Sequence, residues 1–154
     1  MPDYEIRPAR GDDREAVLAL LQATHLPPDG LDEQFPAPYA VAEANGRVVG
    51  AAGVEVYGDA GLLRSVAVDA AWQGRGLGSA LTRERLAWAE ARGLREVYLM
   101  TNTAEGYFPR LGFEPAPRET VPDAVRGSLQ FASVCPSSAA VMVLRLSEAP
   151  CATP

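Results

Sequence analysis

Apolar residues along this chain recur with two periods, every second position in some stretches and every third or fourth in others. Tyr4 to Pro8 reads as a short first strand. After it, Asp12-Asp13 offers an N-cap to a helix whose apolar stripe is Ala16, Val17, Leu20 and Leu21, and Pro27-Pro28-Asp29-Gly30 ends it. Tyr39 to Ala44 and Arg47 to Tyr57 are extended runs on either side of Asn45-Gly46, the dipeptide that supplies the two positive φ angles of a type I′ hairpin turn. A second turn at Gly58-Asp59-Ala60-Gly61 leads into the apolar run Leu62 to Val68, so three antiparallel strands follow one another.

Helical spacing returns from Gly78 to Arg92. There Leu81, Ala87, Trp88 and Ala91 form one stripe, Arg83, Glu84, Arg85 and Glu90 lie off it, and Gly93 takes the C′ position. Glu96 to Thr101 is the next strand, Ala104 to Leu111 a short helix stopped by Gly112, and Phe113-Glu114 the start of a strand that Pro115 and Pro117 interrupt. Pro122 to Phe131 reads as helical and Ala140 to Leu146 as extended. The pattern predicts an α/β protein of the α+β kind, with a mixed, mostly antiparallel sheet of six to seven strands flanked by helices. One domain over 1–147 and a patternless tail over 148–154 are expected.

Charge and composition narrow the chemistry. The net charge of −6 opposes a general nucleic-acid partner. All 14 basic side chains are arginine, which removes Schiff-base chemistry and a lysine-dependent phosphate loop. Cys135 and Cys151 with one histidine, His25, cannot make a four-ligand zinc site unaided, so no metal is expected. There is no apolar run of about 18 residues, and Met1 to Glu5 lacks a basic, then apolar, leader. A cytoplasmic protein with no membrane partner is the expectation.

Between the run ending at Val68 and the helix stands Gln73-Gly74-Arg75-Gly76-Leu77-Gly78. Glycines here expose backbone N–H groups at a helix N-terminus, where the dipole favours an anion; a glycine turn serving packing alone is the plainer alternative. A dinucleotide fingerprint counted from Gly74 puts Ser79 where its third glycine belongs, and no acidic residue closes the next strand. What remains is Q-x-x-G-x-G, which resembles the acetyl-coenzyme A signature of the GNAT superfamily of N-acetyltransferases. The resemblance extends over Ile6-Arg7-Pro8-Ala9, the Asn45-Gly46 hairpin and Ala104 through Leu111-Gly112-Phe113. Three strings, Tyr57 to Ser65, Leu99 to Glu105 and Cys135 to Ala140, resemble the arsenic-resistance-associated branch of those enzymes.

The resemblance implies a sheet whose strand Leu62 to Val68 splays from Glu96 to Thr101, with pantetheine in the split. It implies that the backbone of Val66, Ala67 and Val68 pairs with pantetheine, and that the segment Gln73, Gly74, Arg75, Gly76, Leu77, Gly78 and Ser79 holds the pyrophosphate. Asn102 and Phe108 would line the thioester end. Acetyl-CoA is then the cosubstrate and a small-molecule amine the acceptor; a homodimer is compatible with it.

Acetyl transfer needs a neutral amine, a route for its proton, an oxyanion contact and often an acid for the thiolate. Many relatives carry that acid as a tyrosine where this chain has Phe108, which has no proton to give. Tyr107, one residue away, is the substitute candidate, although one helical step turns a side chain by about 100°. Glu55 is the candidate base, against the alternative of a solvated strand carboxylate. Arg64 and Ser65 are candidate acceptor contacts, Arg64 either gripping a carboxylate or forming a surface ion pair. Cys135 either meets a soft metalloid or packs. The function expected is N-acetylation of a small amino-acid-like acceptor, including arsenical or phosphinic amino acids. The alternatives are a non-catalytic acyl-CoA or metalloid-binding module, or acetylation of a protein N-terminus or a polyamine.

Overall fold

The alternation in the middle of the chain becomes an open seven-stranded sheet in a computed structural model that describes residues 4–24, 35–101, 108–126 and 140–146. Strands β1 (Glu5–Pro8), β2 (Tyr39–Ala44), β3 (Arg47–Tyr57) and β4 (Ala60–Val68) form an antiparallel run in chain order. Strands β5 (Glu96–Thr101), β6 (Glu114–Pro115) and β7 (Ala140–Arg145) complete the order β1-β2-β3-β4-β5-β7-β6. Among the described residues only β4 and β5 pair in parallel. The mixed, mostly antiparallel sheet with flanking helices is the one expected from the pattern.

Asn45 and Gly46 have φ of 54° and 76°, the two left-handed residues of the predicted hairpin turn. The hairpin is nonetheless irregular. Ala44 faces Arg47, yet Tyr39 faces Gly53 rather than Ala52, because the register shifts between Ala42 and Glu43. Tyr39 therefore lies against Gly53, where an added Cβ would run into the tyrosine ring.

Helix α1 (Arg14–Ala23) has ten residues, too few to be stable alone, so its place depends on packing. Val17, Leu20 and Leu21 are buried against Tyr39, Val41, Ala51 and Ala67 on one face of the sheet. Each such side chain contributes about 1.5–3 kcal/mol when fully buried. Asp13 stands at the N-cap position but makes no capping bond; its carboxylate is taken up by Arg7 and by the Arg10 N–H.

Helix α2 (Leu77–Ala91) covers the opposite face and ends at Gly93, whose φ is 86°. Its buried positions are Leu77, Leu81, Thr82, Arg85 and Ala89, whereas Ala87 and Ala91 are exposed. This corrects the predicted stripe. Arg85 falls at the i+4 step between Leu81 and Ala89. Its long stem packs while the guanidinium is held by Glu84 at 2.6 and 2.9 Å and stacks 4.6 Å from the Trp88 ring centre. A third helix, α3 (Asp123–Arg126), places Val125 with Val121, Leu62 and Tyr98 on the same side as α1. Of the helix expected over Ala104 to Leu111, the described part is a 3-10 turn at Pro109–Leu111. The tail 148–154 lies outside the described residues.

Candidate active site

The sheet opens at β4. This strand pairs with β3 along its length but with β5 only where Ala60, Gly61 and Leu62 face Glu96, Val97 and Tyr98. Beyond that point β5 follows β7, from Leu99 opposite Met142 to Thr101 opposite Ala140. The two strands part, and Val66, Ala67 and Val68 lie on the stretch of β4 that has left β5.

The same stretch contains a β-bulge. Ala51 faces Ala67 and Gly53 faces Arg64, so two residues of β4, Ser65 and Val66, stand against Ala52 alone. Ser65 takes the left-handed conformation, φ 61°, which is uncommon for a residue with a Cβ. The extra residue resets the alternation of faces. Leu63 packs with Ala89 on the α2 side, Val66 and Val68 pack with Leu77 and Leu81 on that side too, and Ala67 packs against α1.

The chain then turns into a cradle. Asp69 Oδ1 accepts from the Ala71 N–H at 2.9 Å, and Gln73 Nε2 donates to the Val68 carbonyl at 3.0 Å. Arg75 lies 4.7 Å over the exposed side of Trp72. Gly74 and Gly76 both have φ of 82°, with nothing within 4 Å of a built Cβ, so the loop surface is bare backbone. Gly76 caps α2 without a side-chain bond, and the first turn has no acidic residue. The first i→i−4 bond closes at the Ala80 N–H, leaving those of Leu77, Gly78 and Ser79 ahead of it. A 15-residue helix with bare N-terminal donors and a glycine approach fits a pyrophosphate. Gln73 turns inward to the strand, and Leu77 is buried as a packing residue, so these two act through the loop's shape.

On the sheet face shared by α1 and α3, Glu55 is fully buried. Its Oε2 accepts from the Tyr39 hydroxyl at 2.7 Å and from Arg64 Nη1 at 3.3 Å; its Oε1 accepts from the Tyr57 hydroxyl at 2.8 Å. Arg64 Nε donates to Ser65 Oγ at 2.9 Å. The Arg64 and Glu55 side chains are 1% and 0% exposed, so theirs is a buried ion pair and not a surface one, and Glu55 is no solvated carboxylate. Burial, more than the neighbouring Glu55, pushes the Tyr39 hydroxyl far above the usual tyrosine range, keeping it a donor.

Tyr39 and Tyr57 are the members of this cluster that periodicity missed. Tyr57 shares a face with Glu55 at i+2, a signal that was there to be used; Tyr39 is brought in by the hairpin's register shift. Phe108 is half-buried, its ring edge-on to Phe113 at 5.7 Å between centres. Asn102, Tyr107 and Cys135 lie outside the described residues. Among the described residues no helix is long and apolar enough to cross a membrane.

Known proteins share this fold. The family model for the acetyltransferase (GNAT) domain matches residues 36–115, from just ahead of β2 to the end of β6. The fold superposes on N-acetylglutamate synthase from Neisseria gonorrhoeae complexed with coenzyme A and L-arginine, with a TM-score of 0.77 at 20% identity. That match covers 95% of this chain and 34% of the other, so the chain spans about a third of that protein's length. A Mycobacterium tuberculosis protein in complex with CoA and NLQ matches with a TM-score of 0.74 at 27% identity, covering 93% of this chain and 99% of that one. The ribosomal-protein-S18-alanine N-acetyltransferase from Escherichia coli matches with a TM-score of 0.68 at 22% identity, over 95% and 96% of the two chains. With more than half its length in the family model, a parted β4 and β5, and bare glycine backbone at the start of α2, the chain belongs to the acetyltransferase (GNAT) domain family, acyltransferases that use acetyl-CoA.

Proposed function

We propose that this chain transfers acetyl from acetyl-CoA to the primary amine of a small amino-acid-like acceptor. The observation that carries this is the parting of β4 from β5 directly ahead of the Gly74 to Ser79 cradle, which makes one continuous slot for a pantetheine arm and its pyrophosphate. Acetyl-CoA supplies the activated acetyl group as a thioester. The chain's part is to seat that thioester against the edge of β4, at the backbone of Val66, Ala67 and Val68, and to hold the pyrophosphate on the donors of Gly74 to Ser79. Asn102 and Phe108 are assigned to the thioester end, and Tyr107 to protonation of the departing thiolate.

Cys135 is assigned to the acceptor, whereas Arg64 and Ser65, the other two sequence candidates, are buried, with Arg64 bonded to Glu55 and to Ser65, and are assigned to the support of β4. An amino-acid acceptor is supported by the Neisseria gonorrhoeae enzyme, whose structure holds coenzyme A and N-acetyl-glutamate. Arsenical and phosphinic amino acids are the members of this class that the strings Tyr57 to Ser65, Leu99 to Glu105 and Cys135 to Ala140 support. Glu55, the candidate base, already accepts three hydrogen bonds, and taking an amine proton would break that set.

The test is incubation with acetyl-CoA and a panel of amino acids, phosphinic and arsenical amino acids, alanine-terminated peptides and polyamines, with thiol release followed and products weighed by mass spectrometry. Turnover is expected with the amino-acid-like amines. Turnover confined to peptides or polyamines, or to none of them, contradicts the proposal.

A further inference from the structure

We infer that Glu55 is a positioning residue for the coenzyme A slot, acting through Arg64 on the left-handed backbone of Ser65. The inference rests on the slot proposed above and goes beyond it by assigning the buried charged cluster a task in cofactor binding.

Ser65 is the residue that needs support. With a Cβ at φ 61° it sits in a region disfavoured relative to ordinary strand geometry. Regular pairing with β3 is the competing conformation. If β4 took it, the two-for-one step opposite Ala52 would be lost, and Val66, Ala67 and Val68 would each turn over to the opposite face of the sheet. Val66 and Val68 would leave Leu77 and Leu81, and the edge of β4 that enters the split would present a different set of backbone groups.

What holds Ser65 is a short chain of bonds. Its Oγ accepts from Arg64 Nε at 2.9 Å. Arg64 is fixed in turn by Glu55 Oε2 at 3.3 Å, and Glu55 by the hydroxyls of Tyr39 at 2.7 Å and Tyr57 at 2.8 Å. Tyr39, Glu55, Arg64 and Ser65 are buried and Tyr57 is half-buried, so water does not stand in for a partner lost between Tyr39, Glu55, Arg64 and Ser65. A buried carboxylate with three donors is a rigid anchor, and it tethers the cation beside the bulge. Tyr39 itself is located by the absence of a side chain on Gly53. The bonds thus run from β2 through β3 to the one residue of β4 whose conformation opens the slot.

Glycine at position 65 separates this role from that of a base, because glycine takes positive φ without help. Coenzyme A binding to the purified protein is measured by calorimetry for the wild type, Glu55→Gln, Ser65→Gly and the double variant, with circular dichroism and melting curves to establish folding. Glu55→Gln is expected to weaken coenzyme A by about tenfold or more, given how steeply small misplacements are felt. Ser65→Gly alone should stay within about threefold of wild type, and the double variant should return to that level. Tyr39→Phe, which removes one hydroxyl and keeps the ring on Gly53, should weaken binding by a few-fold and be rescued by Ser65→Gly in the same way.

Two results would overturn the inference: Glu55→Gln and Tyr39→Phe binding coenzyme A like wild type while turnover falls, or a double variant as weak as Glu55→Gln alone. The first would put Glu55 on the reaction itself. Absence of coenzyme A binding by the wild type would instead sink the slot, and with it the proposed function.

Discussion

Arg7 and Arg64 are both caught by carboxylates inside the fold, and they differ in how much water reaches them. Arg7 on β1 donates to both oxygens of Asp13 at 2.9 and 3.1 Å and to Glu43 at 2.8 Å, with side chains 15%, 8% and 34% exposed for Arg7, Asp13 and Glu43. It lines an open cavity of about 640 Å³ between α1 and the β2–β3 hairpin, shared with Arg10, Asp12 and Arg47. Arg64 meets the Glu55 carboxylate, with the Tyr39 and Tyr57 hydroxyls behind it, and its side chain is 1% exposed. The chemistry is similar and the consequence is not. Around Arg7 water can replace a lost partner, so the network ties β1 to the start of α1 and tolerates damage. Around Arg64 the loss of Glu55 removes a buried countercharge.

The sharpest contrast comes from removing one carboxylate in each network. Glu55→Ala removes the buried carboxylate that Arg64 and both tyrosine hydroxyls bond, and is expected to lower stability by about 3–5 kcal/mol in urea unfolding. Asp13→Asn keeps the shape and removes a charge from a partly wetted site, for a smaller loss of about 1.5–3 kcal/mol. Equal losses in the two variants would remove the distinction between a dry and a wet network.

The Arg7 network also carries a pH signature. Hydrogen bonding to Arg7, against an opposing effect of burial, holds the Asp13 carboxyl below its ordinary value. The folded state therefore binds the proton less readily than the unfolded chain. The stability this confers is present above the unfolded carboxylate range, near about pH 4, and is lost as pH falls through the lower folded value. Asp13→Asn should flatten that part of the acid unfolding curve, measured by circular dichroism across pH 2 to about 6. An unchanged acid limb in the variant would show that other carboxylates carry it.

The sequence disclosed the apolar scaffold well and the buried polar network poorly, for one physical reason. Apolar periodicity reports which face of an element is covered, and it located β2, β3, β5 and the Asn45-Gly46 turn at the residues observed. The glycine loop was legible as well, as a positive-φ turn of bare backbone between a strand and a helix. A buried hydrogen bond depends on register between strands, and register here shifts twice, near Ala42 and Glu43 and again between Ala51 and Gly53. A straight hairpin from Asn45-Gly46 would set Tyr39 against Ala52, a one-residue slip that sends its ring to the other face and away from Glu55. Arg85 escaped for a related reason. Its charge argued for solvent, while Glu84, Trp88 and its own methylene stem made burial tolerable.

Calorimetric titration of coenzyme A into the wild type and Gly76→Val tests the slot most directly. Valine at φ 82° is strained and puts a branched side chain on the bare backbone at the start of α2, without touching the Glu55 cluster. One coenzyme A bound per chain, weakened by about tenfold or more in a folded Gly76→Val, is the expected result. A wild type that takes up no coenzyme A, or a variant that binds it equally well, would contradict the placement of the cofactor along β4 and across the N-terminus of α2.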